Sequence, residues 1–150
     1  MIRGATAADY DGFAKLFREL GYPGPTPSPH RWTTDLVRST LVADRGGAVA
    51  GYIDFYALSE AGHVRNLVVA REARNTGVGA DLMRAAADQL RAHGIREWHL
   101  NVKRDNMPAV HLYEKLGMQI EHRSTVFRVP WTLAGTLPCD PAVASRSAGR

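Results

Sequence analysis

Between an apolar run that ends at Val69 and a helical repeat that begins near Val78 lie Arg74, Asn75, Thr76, Gly77, Val78, Gly79 and Ala80. Their types suit anion binding. A helix start leaves about four backbone N–H groups unpaired and carries roughly half a positive charge, so phosphate oxygens bind there when no bulky side chain blocks the approach. Gly77, Gly79 and Ala80 keep that approach clear, and Arg71 and Arg74 make the loop basic. Other glycine-loop chemistries fail on residues. Gly77-Val78-Gly79-Ala80-Asp81-Leu82 lacks the third small position of a dinucleotide fingerprint, and no Gly-Lys-Ser/Thr follows as in a P-loop. The same glycines would also let a helix pack closely on a sheet, and the segment alone leaves both readings open. His30, His93, His99, His111 and His122 show no metal-ligand spacing, so no metal site is expected.

The surrounding elements follow from periodicity and punctuation. Residues 2–5 read as a short strand. Thr6 can cap a helix with Tyr10, Phe13, Phe17 and Leu20 on one face, ending before Gly21. Prolines at 23, 25, 27 and 29 make 22–29 a loop near a binding cleft. Tyr22 and Trp32 flank this loop and either line an acceptor pocket or pack against it. A weaker helix is predicted over 31–38, then strands over 40–43, 48–57 and 63–69, with turns at Gly46-Gly47 and Ala61-Gly62. Val78, Leu82, Met83, Ala86 and Leu90 recur at helical spacing over about 76–93, and Gly94 ends the run. A strand over 95–103 follows. Asn106 caps the next helix, with Ala109, Leu112, Tyr113 and Leu116 on one face and Gly117 as its stop. Residues 119–129 are expected to form a last hairpin or bent strand.

This order predicts an α/β fold with a mixed, mostly antiparallel sheet, a parallel central strand pair (63–69 with 95–103) and about four flanking helices. Ligands collect at the carboxyl ends of parallel strands, here just after Val69. Residues 1–130 read as one domain. From 131 to 150 the composition shifts to Pro, Ala, Ser and Gly, which predicts a loosely attached tail.

Arg74-x-x-Gly77-x-Gly79 resembles the coenzyme-binding signature of the GNAT superfamily of acetyl-CoA-dependent N-acetyltransferases, Arg/Gln-x-x-Gly-x-Gly/Ala, and occupies its position after the fourth strand. Asn106, Ala109, Leu112, Tyr113 and Gly117 match a second element of that superfamily, Asn-x-x-Ala-x-x-Leu-Tyr-x-x-x-Gly. The resemblance covers about residues 1–129. One departure is Ala70, where many members carry proline. The resemblance implies a GNAT-like sheet and acetyl-CoA as cosubstrate. Its pyrophosphate would lie among Arg74 to Ala80 and its pantetheine arm along Leu67, Val68 and Val69, pairing with the backbone of Leu67 and Val69. Asn106 would face the same arm.

Transfer from a thioester to an amine needs a neutral nucleophile, a stabilised oxyanion and a proton for the departing thiolate. Tyr113 is the candidate acid. A tyrosine pKa of about 10 lies near that of a thiol, about 8.5, so the proton transfer is roughly balanced. The alternative is a core tyrosine, since its neighbours at 109, 112 and 116 share an apolar face. The resemblance puts a base of the histone-acetylating type at His63, counting back from Arg74, and a histidine titrating near about 6.5 suits that task. Packing at a strand start is the competing reading of His63, and Asp54 and Glu60 are the reserve candidates. Asn101 stands where relatives that acetylate protein N-termini often have glutamate.

The expected acceptor is therefore a small or amino-acid-like amine, with a peptide N-terminal or lysine amine as the alternative. A non-catalytic coenzyme-binding domain is the reading from another class. The formal charge of +4 fits an anionic coenzyme, and no nucleic-acid motif is present. With 150 residues, 45% of them hydrophobic, the chain can bury one core. The lone Cys139 excludes an internal disulfide, and no apolar run reaches the roughly 18 residues of a membrane span. A cytoplasmic protein without membrane or nucleic-acid partners is expected. A homodimer is left open.

Overall fold

The computed structural model describes residues 1–125 and Thr132. Five strands, β1 (Ile2–Gly4), β2 (Thr40–Arg45), β3 (Ala48–Leu58), β4 (Ala61–Val69) and β5 (Glu97–Leu100), form one sheet in chain order. All neighbours are antiparallel except β4 and β5, which run parallel from Ala61↔Glu97 to Val64↔Leu100. The predicted mixed sheet with a parallel pair is thus present. Its helices are α1 (Tyr10–Arg18), α2 (Pro29–Arg31), α3 (Val78–Ala92) and α4 (Met107–Lys115). Beyond α2 the backbone stays helical through Trp32–Leu36, wound wide so that the Val37 N–H reaches the Trp32 carbonyl, and then tightens at Val37–Ser39.

Alternation along β3 assigns the two faces of the sheet. Tyr52 points to α1, where its ring lies 5.0 Å from Phe13. Gly51 points to α3, and a Cβ there would stand 3.2 Å from Val78 and 3.3 Å from Leu82. Only a glycine lets α3 approach so closely. Leu82, Met83 and Ala86 are fully buried on that side. On the other side Trp32 is wholly buried, stacked 4.4 Å from Phe13, with its indole N–H donated to the Thr6 carbonyl at 3.1 Å. Trp32 is therefore a core residue and cannot line a pocket. Tyr22 stays exposed, its ring edge against Phe17.

Three sequence expectations need correction. The β3–β4 turn falls at Ser59-Glu60, with Ser59 at φ 52°, and Gly62 lies inside β4, where a Cβ would come within 2.7 Å of Leu90. Helix packing, not turn geometry, requires that glycine. Strand β5 spans only Glu97–Leu100, so Asn101 lies beyond its end and is exposed. Residues 119–125 contain no strand, and the remainder of the anticipated 119–129 element lies outside the described residues. The chain divides into the units Met1–Met118 and Gln119–Arg150, and the expected tail, apart from Thr132, lies outside the described residues.

The N-terminal strand is tied down by charge. Arg3 forks onto both Asp9 oxygens at 2.8 Å and also reaches Asp44 at 2.9 Å, while Asp9 accepts from the Thr6 N–H at 2.7 Å. These donors hold the Asp9 carboxyl well below its usual range of 3.8, at about 2, against the opposing effect of burial. A depressed folded pKa contributes stability that is fully present above about pH 4 and is lost as the pH falls through about 2. Asp9→Asn is expected to cost about 2 kcal/mol at pH 7 and to flatten the stability profile below pH 4. Denaturant melts of both proteins across that range check this, and parallel acid limbs would refute it.

Candidate active site

Strand β4 runs beside two different neighbours. On one edge it pairs with β3 from Ala61 to Val69 except at Arg65, which a bulge leaves without a partner, while on the other the pairing with β5 stops at Val64. From Arg65 onward that second edge has no strand partner among the described residues. The Ala70 N–H donates to the Ala50 carbonyl of β3 at 2.9 Å, so backbone groups facing β3 alternate as Ala70, Val68 and Asn66. Those of Val69 and Leu67 face the open edge. The Val69 carbonyl is already used, accepting from Arg74 Nε at 3.0 Å, which leaves the Val69 N–H and both groups of Leu67.

Beyond Ala70 the chain makes a tight turn, passes through Asn75 and Gly77 at φ 60° and 88°, and enters α3. The left-handed Gly77 stands at the cap position, where it has no side chain to bond the helix start. The first intrahelical bond runs from the Asp81 N–H to the Gly77 carbonyl, so the N–H groups of Val78, Gly79 and Ala80 have no intrahelical acceptor. A Cβ at Gly79 would lie 3.1 Å from Leu112 of α4 and 3.6 Å from Val69. This contact joins the two sequence motifs, because the start of α3, the end of β4 and the middle of α4 meet at Gly79.

The loop's charges are arranged differently from a simple basic cradle. Arg74 also donates to Glu19 at 2.8 Å, stapling the end of β4 to the end of α1. Its charge is largely answered there. Arg45, at the end of β2, donates to the Thr76 hydroxyl at 2.9 Å, and that hydroxyl in turn donates to the Ala73 carbonyl. Sequence reading missed Arg45, which lies 31 residues from Thr76 and carries no local signal.

Residues 10–118 match the acetyltransferase (GNAT) family model. The chain belongs to the GNAT acetyltransferase family. An N-alpha-acetyltransferase of Sulfurisphaera tokodaii is 27% identical over 135 residues, covering 79% of each chain. A provisionally assigned ribosomal-protein-alanine N-acetyltransferase of Bacillus subtilis is 32% identical over 79 residues, 53% of this chain, and the match spans only about half (52%) of that relative. Among solved structures, an aminoglycoside N-acetyltransferase in complex with CoA superposes with a TM-score of 0.70 at 17% identity, covering 87% of this chain and 99% of that one. That last likeness concerns the fold.

In this GNAT chain Tyr113 lies on α4, half-buried, next to Leu112. Burial pushes its hydroxyl above the usual 10, and among the described residues that hydroxyl makes no hydrogen bond. Asn106 caps α4, its side chain accepting from the Ala109 N–H at 3.4 Å. His63 sits in the paired part of β4, opposite Tyr56 and beside His99, with its ring 5.4 Å from that of Tyr56. Glu60 lies in the exposed β3–β4 turn.

Asp54 is 3% exposed and held in a network absent from the sequence reading. It accepts from Ser39 Oγ at 2.9 Å and from Arg65 Nη2 at 2.8 Å, and Arg65 Nη2 also reaches Ser39 at 3.0 Å. Burial raises its carboxyl pKa, with Arg65, Ser39 and Arg31 opposing that rise. A charged residue at position 65, just before the apolar run Leu67-Val68-Val69 of the same strand, was the available signal. Among the described residues no group of His, Cys, Asp or Glu is arranged to hold a metal, and no helix is long and apolar enough to cross a membrane.

Proposed function

We propose that this GNAT chain is an N-acetyltransferase that uses acetyl-CoA and acetylates a small, amino-acid-like amine by direct attack. The observation that carries this reading is the open edge of β4 leading into an uncapped helix start. Leu67 and the Val69 N–H offer strand-like hydrogen bonds to an extended amide-bearing arm, and the free N–H groups of Val78, Gly79 and Ala80 take the pyrophosphate. Arg45 adds positive charge at that point. The CoA-bound structure of the aminoglycoside acetyltransferase supports the same ligand on the same fold. The coenzyme supplies an activated acyl group on a thiol leaving group.

The rest of the chemistry belongs to the protein. Tyr113 is the general acid, and its raised pKa keeps it protonated across the neutral range. His63 is the proposed base, acting directly or through water on an amine that, at a pKa of about 10.4, is almost wholly protonated at pH 7. Asp54 is a weaker choice because its charge is already shared with Arg65 and Ser39. Peptide N-termini are a second acceptor reading, favoured by the relative from Sulfurisphaera tokodaii that matches over 79% of both chains.

Free thiol release from acetyl-CoA, measured against amino acids, simple amines and peptides with free N-termini, tests the proposal. Release is expected only with an acceptor present, with small amino-acid-like amines ahead of peptides. Rapid turnover of peptides with every small amine inert would move the acceptor to the second reading. Coenzyme binding without acetylation of any amine would assign the chain a regulatory role instead.

A further inference from the structure

Arg65 is the first residue of β4 past its last pairing with β5, and it stands four residues before Val69, about 13 Å along an extended strand. An arm laid along the open edge from the start of α3 therefore runs toward it. Its guanidinium is fixed from two sides. Nη2 is held by Asp54 and Ser39, and the guanidinium carbon lies 4.8 Å over the Tyr56 ring. The Tyr56 ring also lies 5.4 Å from that of His63, so Arg65 and the candidate base share one aromatic neighbour.

Neutralising Asp54 needs one nitrogen of Arg65. Among the described residues Nε and Nη1 have no hydrogen-bond partner, and the Arg65 side chain is 37% exposed where that of Asp54 is 5% exposed. The outcome is a planar donor group with its buried side occupied and the rest of its N–H groups presented outward. Both two-pronged edges of the guanidinium include the occupied Nη2, so a carboxylate is met by a single charge-assisted hydrogen bond from Nε or Nη1, and the fixed orientation of the group removes most of the ordering cost of making it. Arg31, which also acts on Asp54 electrostatically, leaves this corner with two cations for one buried anion.

We propose that Arg65 is the receptor for a carboxylate carried by the acceptor, so that the chain selects amines bearing a nearby acid group, such as free amino acids. This rests on the acetyltransferase reading above. The Ser39–Asp54 pair and Tyr56 act as positioning residues for the guanidinium.

The test compares amino acids with their carboxamides, which keep the amine and lose the negative charge. In the wild-type protein the acids are expected to exceed the amides by about 10- to 100-fold in kcat/KM, the range of one charge-assisted hydrogen-bonded pair. Arg65→Gln should erase that preference by raising KM for the acids far more than KM for the amides, and Arg65→Lys should retain part of it. Because Arg65→Gln leaves Asp54 without its cation, the double variant Arg65→Gln/Asp54→Asn provides a neutral, hydrogen-bonded replacement, with melting temperature as the check on folding. Calorimetric titration of the same acids and amides, with CoA present, reads the selectivity without turnover. Carboxylate-selective binding that disappears with Arg65 would support the site even if no acceptor were acetylated. Equal handling of acids and amides by the wild-type protein, or equal losses for both in the variants, would overturn it.

Discussion

Gly79→Glu is expected to lower affinity for acetyl-CoA by at least about 100-fold, which is roughly 2.7 kcal/mol, while the protein stays folded. The added Cβ would meet the tip of the Leu112 side chain at 3.1 Å, a contact relieved by a shift of a few tenths of an ångström. Gly79 lies in the first turn of α3, where a glutamate has better helix propensity than glycine and complements the positive end of the helix dipole. Stability is thus little changed. Coenzyme binding suffers twice, because the carboxylate repels phosphate at the N–H groups of Val78, Gly79 and Ala80 and its stem enters the space between Leu112 and Val69 beside the open edge of β4. Calorimetry with CoA and a thermal melt on one preparation decide the matter. Unchanged affinity would place the pyrophosphate elsewhere. Gly79→Ala, which adds the contact without the charge, separates packing from repulsion: a loss as large as that of the glutamate variant would mean that space alone matters.

For Tyr113→Phe the expected loss is about 10²- to 10⁴-fold in kcat, with the Michaelis constant for acetyl-CoA unchanged. The substitution removes a hydroxyl that makes no hydrogen bond among the described residues, so its absence leaves no partner unsatisfied. The pH dependence has a definite sign. A general acid works while protonated, and burial raises the Tyr113 pKa above 10, so any alkaline loss of rate due to this group lies above pH 10. That limb should vanish in the phenylalanine variant. A tyrosine serving only the core would instead give a change of a few-fold in rate. Near-normal turnover in a folded Tyr113→Phe protein, with chemistry shown to limit the rate, would exclude the general acid role.

Much of this architecture was legible from local pattern. The change from an apolar run ending at Val69 to a helical repeat after Val78 places a strand, loop and helix in succession, and a glycine that lacks a side-chain cap leaves the helix start open. The parallel pair follows because α3 carries the chain across before β5 begins. Asn106 and Gly117 punctuate α4 through chemistry that acts within a few residues, capping at one end and a positive φ of 85° at the other. Where two local solutions compete, pattern misleads. Ala61-Gly62 has the composition of a turn, yet Gly62 is required by Leu90 pressing on the strand from α3, and Ser59 takes the left-handed position instead.

The order of elements, the glycine-lined helix start and the two motifs that identify the family all depend on neighbours along the chain, and so were readable there. The tertiary structure decided which side chains meet. Trp32 became core by stacking on Phe13, Arg45 reached Thr76 across 31 residues, and Arg74 was drawn to Glu19 across 55. Likewise, Arg65 joined Asp54 and Ser39 only once β3, β4 and the helical segment ending at Ser39 were assembled. The opening of β4 from β5 after Val64 has the same origin. Strand pairing is a contact between distant segments, so its end point at Val64 is set by how the two strands meet and not by neighbours along the chain alone.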